Sequence, residues 1–247
     1  MKIWRIIGLL AILIIGTVLM SGCLSPGSTS TAPVTANPTF TVSLTQTRTL
    51  TPTPTPSPTP ALKTVLFSDD LSRWRSEWES EYDDTNGKTS YSGGSLHIRD
   101  NDPPRKAMYH ILNKNFNDFI LDVDTKFIAG TDDNYQGVRI RRQDIDNQYI
   151  LSISADGYYT IMKAEKGNLI DLAEPTRSSY IKTGIGATNH IQVEANKNTL
   201  SLSVNGHHLS TVTDNAFKVG TVSLSSSCLT SGSFTEVAFS NLVITTL

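Results

Sequence analysis

The sequence is poor in cysteine and has no acidic residue before Asp69. Its two cysteines are Cys23 and Cys228, so no framework of several disulfides can hold the fold together. We expect Cys228, at the end of an alternating run, to be a small buried hydrophobic side chain. From Thr64 onward the chain carries 17 Lys or Arg and 23 Asp or Glu, a net charge of −6. This balance argues against a nucleic-acid-binding protein, which needs surplus positive charge to contact phosphates.

Long apolar runs are also scarce, and the one that stands out lies at the N-terminus. Lys2 and Arg5 precede an uncharged run over residues 6–20, and two small residues then lead to Cys23. This order predicts a secretory signal peptide over residues 1–22. The sequence Met-Ser-Gly-Cys resembles a prokaryotic lipobox, although Met20 stands where Leu is preferred. The resemblance implies that Cys23 receives a thioether-linked diacylglycerol and becomes the first residue of the mature chain.

An uncleaved signal anchor is the alternative, because the 18 residues from Ile3 to Met20 could span a bilayer. Either arrangement places the rest of the chain at the extracytoplasmic face of the cell membrane or in the cell envelope. The next segment is rich in proline, since eight of the 11 prolines lie between Pro26 and Lys63. Proline fixes φ and lacks an amide hydrogen, so residues 23–63 are predicted to form a disordered, extended Thr/Ser/Pro-rich linker.

Residues 64–247 are predicted to form a single all-β domain. Phe119, Leu121 and Val123 alternate with polar or charged neighbours, and several later segments alternate in the same way. Asp156-Gly157 and Asn205-Gly206 are typical of two-residue hairpin turns. We expect about a dozen antiparallel strands, a number typical of a sandwich or barrel.

One stretch departs from this pattern. Leu71, Trp74, Trp78 and Tyr82 are spaced 3, 4 and 4 residues apart, as on one face of a helix. A short helix and an irregular aromatic-rich segment both fit residues 69–82, and we favour the irregular segment.

Several short motifs resemble concanavalin A-like sandwich domains. They are Phe67 to Leu71 with Trp74, Gly93 to Ile98, Phe119 to Asp124, Asp133 to Val138, Asp146 to Tyr159, and Phe239 to Leu242. They are similar to laminin-G-like domains and to the sandwich family of 3-keto-disaccharide hydrolases. The resemblance implies an antiparallel two-sheet jelly-roll sandwich whose concave outer face binds sugars. This fold hosts lectins, glycosidases and binding modules alike, so it does not select an activity.

A polar outer face follows if Asp156-Gly157 is a two-residue turn. That register places Ser152, Ser154, Tyr159 and Lys163 opposite the apolar face of Tyr149, Leu151 and Ile153. The same parity on the two preceding strands adds Asp122, Asp124, Lys126, Tyr135, Arg139 and Arg141. Arg and Asp can hold sugar hydroxyls, and an aromatic ring can pack on a pyranose. The predicted ligand-binding residues are Tyr135, Arg139, Arg141, Ser152, Ser154 and Tyr159. An ordinary solvated face with opposite charges on neighbouring strands is the alternative interpretation.

Asp122 and Asp124 are the candidate catalytic residues, because they lie two apart on one strand face. Retaining glycosidases need two carboxylates about 5 Å apart. The related family 16 glucanases have a third acid at the position that corresponds to Lys126. The missing acid favours binding over hydrolysis.

Calcium is the one cofactor for which the sequence offers ligands. Asp132, Asp133, Asp144 and Asp146 supply the oxygen atoms that Ca²⁺ prefers, although Asp is also common in turns. The sequence as a whole predicts a membrane-anchored extracytoplasmic β-sandwich that binds a carbohydrate or another cell-surface polymer. The alternatives are a sugar hydrolase or lyase that uses Asp122 and Asp124, and a module for protein–protein interactions in the envelope.

Overall fold

A computed structural model describes residues 62–101, 107–229 and 232–247, and these ranges contain strands and loops but no helix. The predicted signal peptide, the lipidation site Cys23 and all but the last two residues of the predicted linker lie outside the described residues. Within the described ranges, no helix has the length and apolar character needed to cross a membrane.

Fifteen strands make up the described structure, somewhat more than the dozen expected. In chain order they are β1 (Val65–Asp69), β2 (Tyr82–Asp83), β3 (Gly87–Ser92), β4 (Ser95–Asp100), β5 (Ala107–Phe116), β6 (Phe119–Gly130), β7 (Tyr135–Arg142), β8 (Gln148–Ser154), β9 (Tyr158–Glu165), β10 (Asn168–Arg177), β11 (Thr188–Asn196), β12 (Thr199–Val204), β13 (His207–Thr213), β14 (Gly220–Ser227) and β15 (Thr235–Thr245).

The strands form two antiparallel sheets. The nine-stranded sheet has the order β13-β12-β11-β6-β15-β4-β3-β2, with β1 also paired to β15. The six-stranded sheet has the order β10-β9-β8-β7-β14-β5. Consecutive strands β6 and β7 therefore belong to different sheets, and the predicted grouping of their polar side chains on one outer face is wrong.

The core lies between the two sheets. The nine-stranded sheet contributes the alternating residues of β6 and β11, including Leu121, Val123 and Val193, and all of these are fully buried. The six-stranded sheet contributes Ile140 and Leu151 among others. Each such side chain contributes roughly 1.5–3 kcal/mol when it is removed from water. The apolar half of the alternation predicted from the sequence therefore holds the sandwich together.

The two predicted hairpin turns have different outcomes. Asn205-Gly206 is confirmed as a two-residue turn, because Val204 pairs with His207 and both central residues have positive φ, 52° and 81°. The turn at Asp156-Gly157 contains three residues instead of two, since Ile153 pairs with Tyr159. One additional residue reverses the side-chain parity of β9 relative to β8, so the predicted faces of β9 are exchanged.

The aromatic segment between β1 and β2 is irregular, as favoured from the sequence. Trp78 is 1% exposed and forms an isolated bridge with Leu112, while its Nε1 donates to Asp69 Oδ2 at 3.0 Å. Asp69 also accepts from the amide of Leu71, which has a φ of 60°. The helical spacing of the aromatic residues is overridden here because one indole is inserted into the core and tied to a buried carboxylate.

Candidate functional site

A large cleft covers the outer face of the six-stranded sheet. Its volume is about 790 Å³, and its lining comes from β5, β7, β8, β9, β10 and β14 and the loops next to them. Strands β8 and β9 contribute the apolar side chains Ile150 and Met162 and the polar side chains Gln148, Ser152 and Thr160. Cys228 borders the cleft at 1% exposure, which confirms that it is a buried residue. A surface that mixes apolar patches with a few polar groups is typical of small-molecule and sugar sites.

Glycine and serine residues lie where β7 pairs with its neighbouring strands, beneath the cleft. A Cβ atom at Gly137 of β7 would lie 2.2 Å from the carbonyl oxygen of Leu151 and 2.7 Å from Cα of Ser152. Only glycine fits at this distance from the neighbouring strand. On the other side of β7, Ser225 of β14 pairs with Gly137 and Ser223 pairs with Arg139. Glycine and serine therefore keep side chains small where β7 and β14 pair, next to Arg139.

Arg139 is the most buried charged group that lines the cleft. It alternates with the core residues Val138 and Ile140 and is only 6% exposed. Its Nε has no hydrogen-bond partner among the described residues. Burial lowers the pKa of Arg139 to about 10, because removing a guanidinium from water disfavours its charge. The group remains charged at neutral pH, and the nearby charge of Asp100 favours this form, although no ion pair joins Asp100 to Arg139 within the described structure.

Arg142 lies beside Arg139 on the same face because of a β-bulge. Thr221 pairs with Arg142 and Ser223 with Arg139, so two steps along β14 match three along β7. Both guanidiniums approach the ring of Tyr109, at 5.7 Å for Arg139 and 5.0 Å for Arg142. The Nε of Arg142 is also buried without a partner in the described part of the chain. We call Arg139, Arg142 and Tyr109 the arginine cluster.

A second, smaller cleft adjoins the first. It has a volume of about 560 Å³, includes Tyr109 and Glu79, and shares Ala107 and Ile145 with the large cleft. Burial raises the pKa of the Glu79 carboxyl, although a hydrogen bond from the amide of Ile111 and the charge of Arg142 act in the opposite direction. That amide lies 3.2 Å from Glu79 Oε1. The two clefts together form a continuous surface that an elongated ligand could follow.

Three of the six predicted ligand-binding residues line the large cleft. They are Tyr135, Arg139 and Ser152. Ser154 lies at the end of the same face but is occupied locally, because its Oγ bonds to Asp156 and accepts from the amide of Tyr158 at 3.0 Å. Its hydroxyl therefore stabilises the three-residue turn.

The prediction for Arg141 is wrong. Its φ of 48° places it at the bulge of β7, and its side chain is fully buried. The guanidinium donates to three carbonyl oxygens, of Asn117, Lys197 and Phe217, at 2.8–3.2 Å. It also pairs with Asp118 at 3.0 Å. Arg141 therefore ties loops together, and the bulge brings Arg142 to the outer face in its place.

The prediction for Tyr159 is also wrong, because of the reversed parity of β9. Its ring packs against the core, and its hydroxyl donates to the carbonyl oxygen of Leu209 at 3.2 Å. Lys163, which was expected on the outer face with Tyr159, instead donates to Asp214 at 2.8 Å.

Asp122 and Asp124 lie on the nine-stranded sheet and take no part in the cleft. His190 of β11 bridges them, with Nδ1 2.8 Å from Asp124 Oδ1 and Nε2 3.0 Å from Asp122 Oδ1. Gln192 also donates to Asp122, and Asn241 donates to Asp124. These carboxylates are held by neighbouring side chains on a face opposite to the proposed site.

The four Asp candidates for calcium do not come together. Asp132 and Asp133 precede β7, whereas Asp144 and Asp146 follow it, so the two pairs lie at opposite ends of one strand. Asp144 accepts from the amide of Asp146 at 2.8 Å and from the side chain of Asn147 at 2.9 Å, as expected for a turn. In the ranges that the structure describes, no three His, Cys, Asp or Glu side chains form a group that could hold a metal.

Comparison with protein families decides the assignment of the domain. The model of the 3-keto-alpha-glucoside-1,2-lyase-like domain matches residues 63–245. The chain belongs to this family. The resemblance to 3-keto-disaccharide hydrolases inferred from the short motifs is thereby confirmed. A comparison with curated proteins finds no match.

Solved structures share the fold of this lyase-like domain at low sequence identity. A carbohydrate-binding module CBM66 from Bacillus subtilis is 15% identical with a TM-score of 0.54, covering 68% of this chain and 94% of its own. A family GH16 protein from Bacteroides ovatus, solved with a product, is 8% identical with a TM-score of 0.54, covering 73% and 100%. A Bacillus subtilis protein with a galectin-like fold is 13% identical with a TM-score of 0.53, covering 74% and 97%. These similarities confirm the predicted jelly-roll sandwich, a fold shared by carbohydrate-binding and glycoside hydrolase-like domains.

The lyase-like domain has site residues that the sequence interpretation missed. Gln148 lines the cleft, and its Oε1 is buried without a partner in the described structure. Gln148 has the same parity as Ser152, so the alternation of β8 already contained its signal. Tyr109 and Arg142 carried no such signal, because the pairing of β5 with β14 and the bulge in β7 are not visible in the sequence. The site found here can donate through guanidiniums and accept through an amide oxygen.

Proposed function

We propose that the lyase-like domain binds a carbohydrate in the large cleft. The observation that carries this proposal is a cleft of about 790 Å³ in which apolar side chains lie beside buried polar atoms that have no hydrogen-bond partner among the described residues. Those atoms are Arg139 Nε and Gln148 Oε1, one donor and one acceptor. Buried polar groups of this kind cost free energy unless a ligand or water pairs with them. A sugar offers hydroxyls that can both donate and accept, together with an apolar ring face.

The family and the structural neighbours support the same class of ligand. The family takes its description from a lyase of a 3-keto-glucoside, and one neighbour is described as a carbohydrate-binding module.

The direct test is a glycan-array screen of Pro58–Leu247, which forms a compact unit with its own core. The screen is run with and without Ca²⁺, because Asp132, Asp133, Asp144 and Asp146 were predicted from the sequence as calcium ligands. We expect reproducible binding to one class of glycan. A blank array with folded protein would contradict carbohydrate binding and favour a protein partner in the envelope.

A matched pair of tyrosine variants locates the binding. Tyr135→Ala removes a half-buried ring that lines the cleft. Tyr180→Ala removes an exposed ring that lines neither cleft and stacks on His207 at 3.9 Å. We expect Tyr135→Ala to weaken glycan binding several-fold and Tyr180→Ala to leave it unchanged. Equal effects would place the sugar elsewhere.

A sugar lyase or hydrolase is the second candidate function, and Glu79 is the observation that favours it. Its half-buried carboxyl has a raised pKa and lies in the smaller cleft, as a general acid requires. Asp122 and Asp124, the carboxylates proposed from the sequence, lie on the other sheet. If the domain is an enzyme, Glu79→Gln abolishes turnover and preserves binding, whereas Asp122→Asn leaves turnover unchanged. Turnover that survives Glu79→Gln would exclude this residue as the acid.

We also propose that the chain is exported and attached to the extracytoplasmic face of the membrane through Cys23. The proposal rests on the lipobox-like sequence that precedes Cys23. Metabolic labelling with a radioactive fatty acid should label the full chain and fail to label Cys23→Ser. Equal labelling of both proteins would contradict lipidation at this residue.

A further inference from the structure

Arg139 and Arg141 of β7 are both buried, but they differ in their hydrogen bonds and ion pairs. Arg141 donates to three carbonyl oxygens and pairs with Asp118. Arg139 has a buried Nε without a partner, and no carboxylate of the described residues lies within 4.0 Å of its guanidinium nitrogens. A buried charge without an opposite charge or hydrogen bonds is costly. The structure thus pairs Arg141 directly with a carboxylate and three carbonyl oxygens. Arg139 lines the cleft without an ion pair in the described structure, and the more distant charge of Asp100 favours its charged form.

The second arginine of the cluster adds positive charge beside Arg139, and its charge also acts on the carboxyl of Glu79. In the described structure Arg142 likewise has a buried Nε without a partner and no carboxylate within 4.0 Å. Its positive charge lowers the pKa of Arg139, as expected for two cations that face each other. Tyr109 offers each guanidinium only the face of its ring, which compensates a cation weakly. An anionic group would relieve both charges at once.

We propose that the cleft recognises a sugar that carries a carboxylate, and that Arg139 binds this carboxylate with the support of Arg142. This inference rests on the proposed carbohydrate-binding function. A guanidinium presents parallel N–H groups that match the two oxygens of a carboxylate, and such a pair is stronger than a bond to a neutral hydroxyl. Gln148 Oε1 is placed to accept from a hydroxyl of the same sugar, because Gln148 lies on the same outer face, on the strand paired with β7.

The overall charge restricts the ligand further. Residues 64–247 carry a net charge of −6. This negative charge repels a densely anionic polymer at long range. The arginine cluster is a local exception in this acidic domain. The ligand class that fits both observations is a glycan with single or widely spaced uronic acid units.

The test compares sugars that differ only in the carboxylate. Disaccharides that contain one glucuronate or galacturonate are titrated into Pro58–Leu247 by calorimetry, beside their carboxyl-reduced neutral counterparts. We expect the uronates to bind about 10- to 100-fold more tightly, the range for a charge-assisted hydrogen-bond pair. The NMR signal of the Arg139 Nε–H group should shift with a uronate and stay in place with the reduced sugar. This readout needs no variant and does not depend on refolding.

Three variants distinguish a direct contact between Arg139 and the carboxylate from an effect of the net charge of the domain on affinity. Arg139→Gln should remove the preference for uronates, and Arg139→Lys should retain part of it because the charge remains without the planar fork. Lys126→Gln is the matched control, since it removes one positive charge from an exposed position on the nine-stranded sheet. It should leave both affinities unchanged.

The outcomes distinguish this inference from the proposed function. Equal binding of uronate and neutral sugars overturns carboxylate recognition while carbohydrate binding stands. A uronate preference that persists in Arg139→Gln also overturns it, because the carboxylate then binds elsewhere. If neither form of any glycan binds, the inference and the proposed function both fail.

Discussion

The outer faces of the two sheets both carry charged side chains, but only one face pairs them with each other. On the nine-stranded sheet, His190 bridges Asp122 and Asp124, and amide side chains complete the network. On the six-stranded sheet, buried polar atoms of Arg139, Gln148 and Ser223 have no partner among the described residues. On the first face the two carboxylates are paired with neighbouring side chains, whereas on the second the described structure leaves the Nε donor of Arg139 and the Oε1 acceptor of Gln148 available.

This difference shows which polar face is the better candidate site. Opposite charges on neighbouring strands stabilise a sheet modestly and need no ligand. Unpaired buried groups reduce stability, and such groups are expected where a ligand completes the hydrogen bonds. The charge pattern of Asp122 and Asp124 in the sequence pointed to a face on which those carboxylates are paired, because the sequence does not show what they contact.

The largest effect on the free energy of unfolding is expected for Arg141, whose guanidinium is hydrogen-bonded within the protein. Arg141→Met removes a donor from three carbonyl oxygens and removes the cation paired with Asp118, which keeps only the hydrogen bond from the amide of Lys197 among the described contacts. The free energy of unfolding should fall by about 3 kcal/mol, the lower end for a broken buried pair because Asp118 stays partly exposed. Urea denaturation of the variant and the parent protein measures the change. A loss below about 1 kcal/mol would contradict the structural role assigned to Arg141.

His110 should make the protein sensitive to acid. It is fully buried, stacks on Trp78 at 5.5 Å, and has an Nδ1 without a partner in the described structure. Burial lowers the pKa of His110 to about 4, against an ordinary value of 6.5, so the folded state favours the neutral ring. Its stabilising contribution is complete above pH 6.5 and is lost between pH 6.5 and about 4, to the extent of roughly 3 kcal/mol.

Unfolding measured from pH 4 to 7 checks this expectation. His110→Gln should show a shallower dependence on pH over that range than the parent protein. An unchanged slope would assign the acid sensitivity to other groups.

Replacing Arg139 should not destabilise the protein, in contrast to replacing Arg141. Arg139→Met removes a buried charge that has no ion pair in the described structure and keeps an unbranched apolar side chain. In the absence of ligand, the free energy of unfolding should stay the same or rise by about 1 kcal/mol. Urea denaturation beside Arg141→Met measures it directly. A loss of more than about 2 kcal/mol would mean that Arg139 supports the fold and would remove the contrast between the two arginines.

The smallest effect on stability is expected from the titration of His190. Burial opposes its protonation, but hydrogen bonds to Asp124 and Asp122 outweigh burial and raise the pKa of His190 above 6.5. Its contribution is therefore complete below pH 6.5 and is lost as the pH rises through the folded-state value. Because the ring is partly exposed, the loss should be below about 1 kcal/mol. Melting curves between pH 6 and 9 should show it, and His190→Gln should remove it, whereas His208→Gln should not.

Much of the fold could be predicted from local sequence patterns. The alternation of Phe119, Leu121 and Val123 identified the core face of β6, since successive side chains of a strand point to opposite sides. Asn205-Gly206 identified its turn because both residues accept positive φ. The short motifs indicated the family. The signal peptide, the lipidation of Cys23 and the linker stay predictions, because they rest on the sequence alone.

The candidate site required the tertiary structure. Alternation fixes the two faces of a strand but does not reveal which sheet the strand joins, so β6 and β7 were grouped wrongly. One residue more in the loop before Tyr158 reversed the face of Tyr159. One bulge exchanged Arg141 for Arg142. The sheet that each strand joins and the bulge in β7 depend on hydrogen bonds between strands that are distant in the sequence. The longer turn depends on the register of the adjacent strands β8 and β9. Together these hydrogen bonds decided which charges were paired and which faced the cleft.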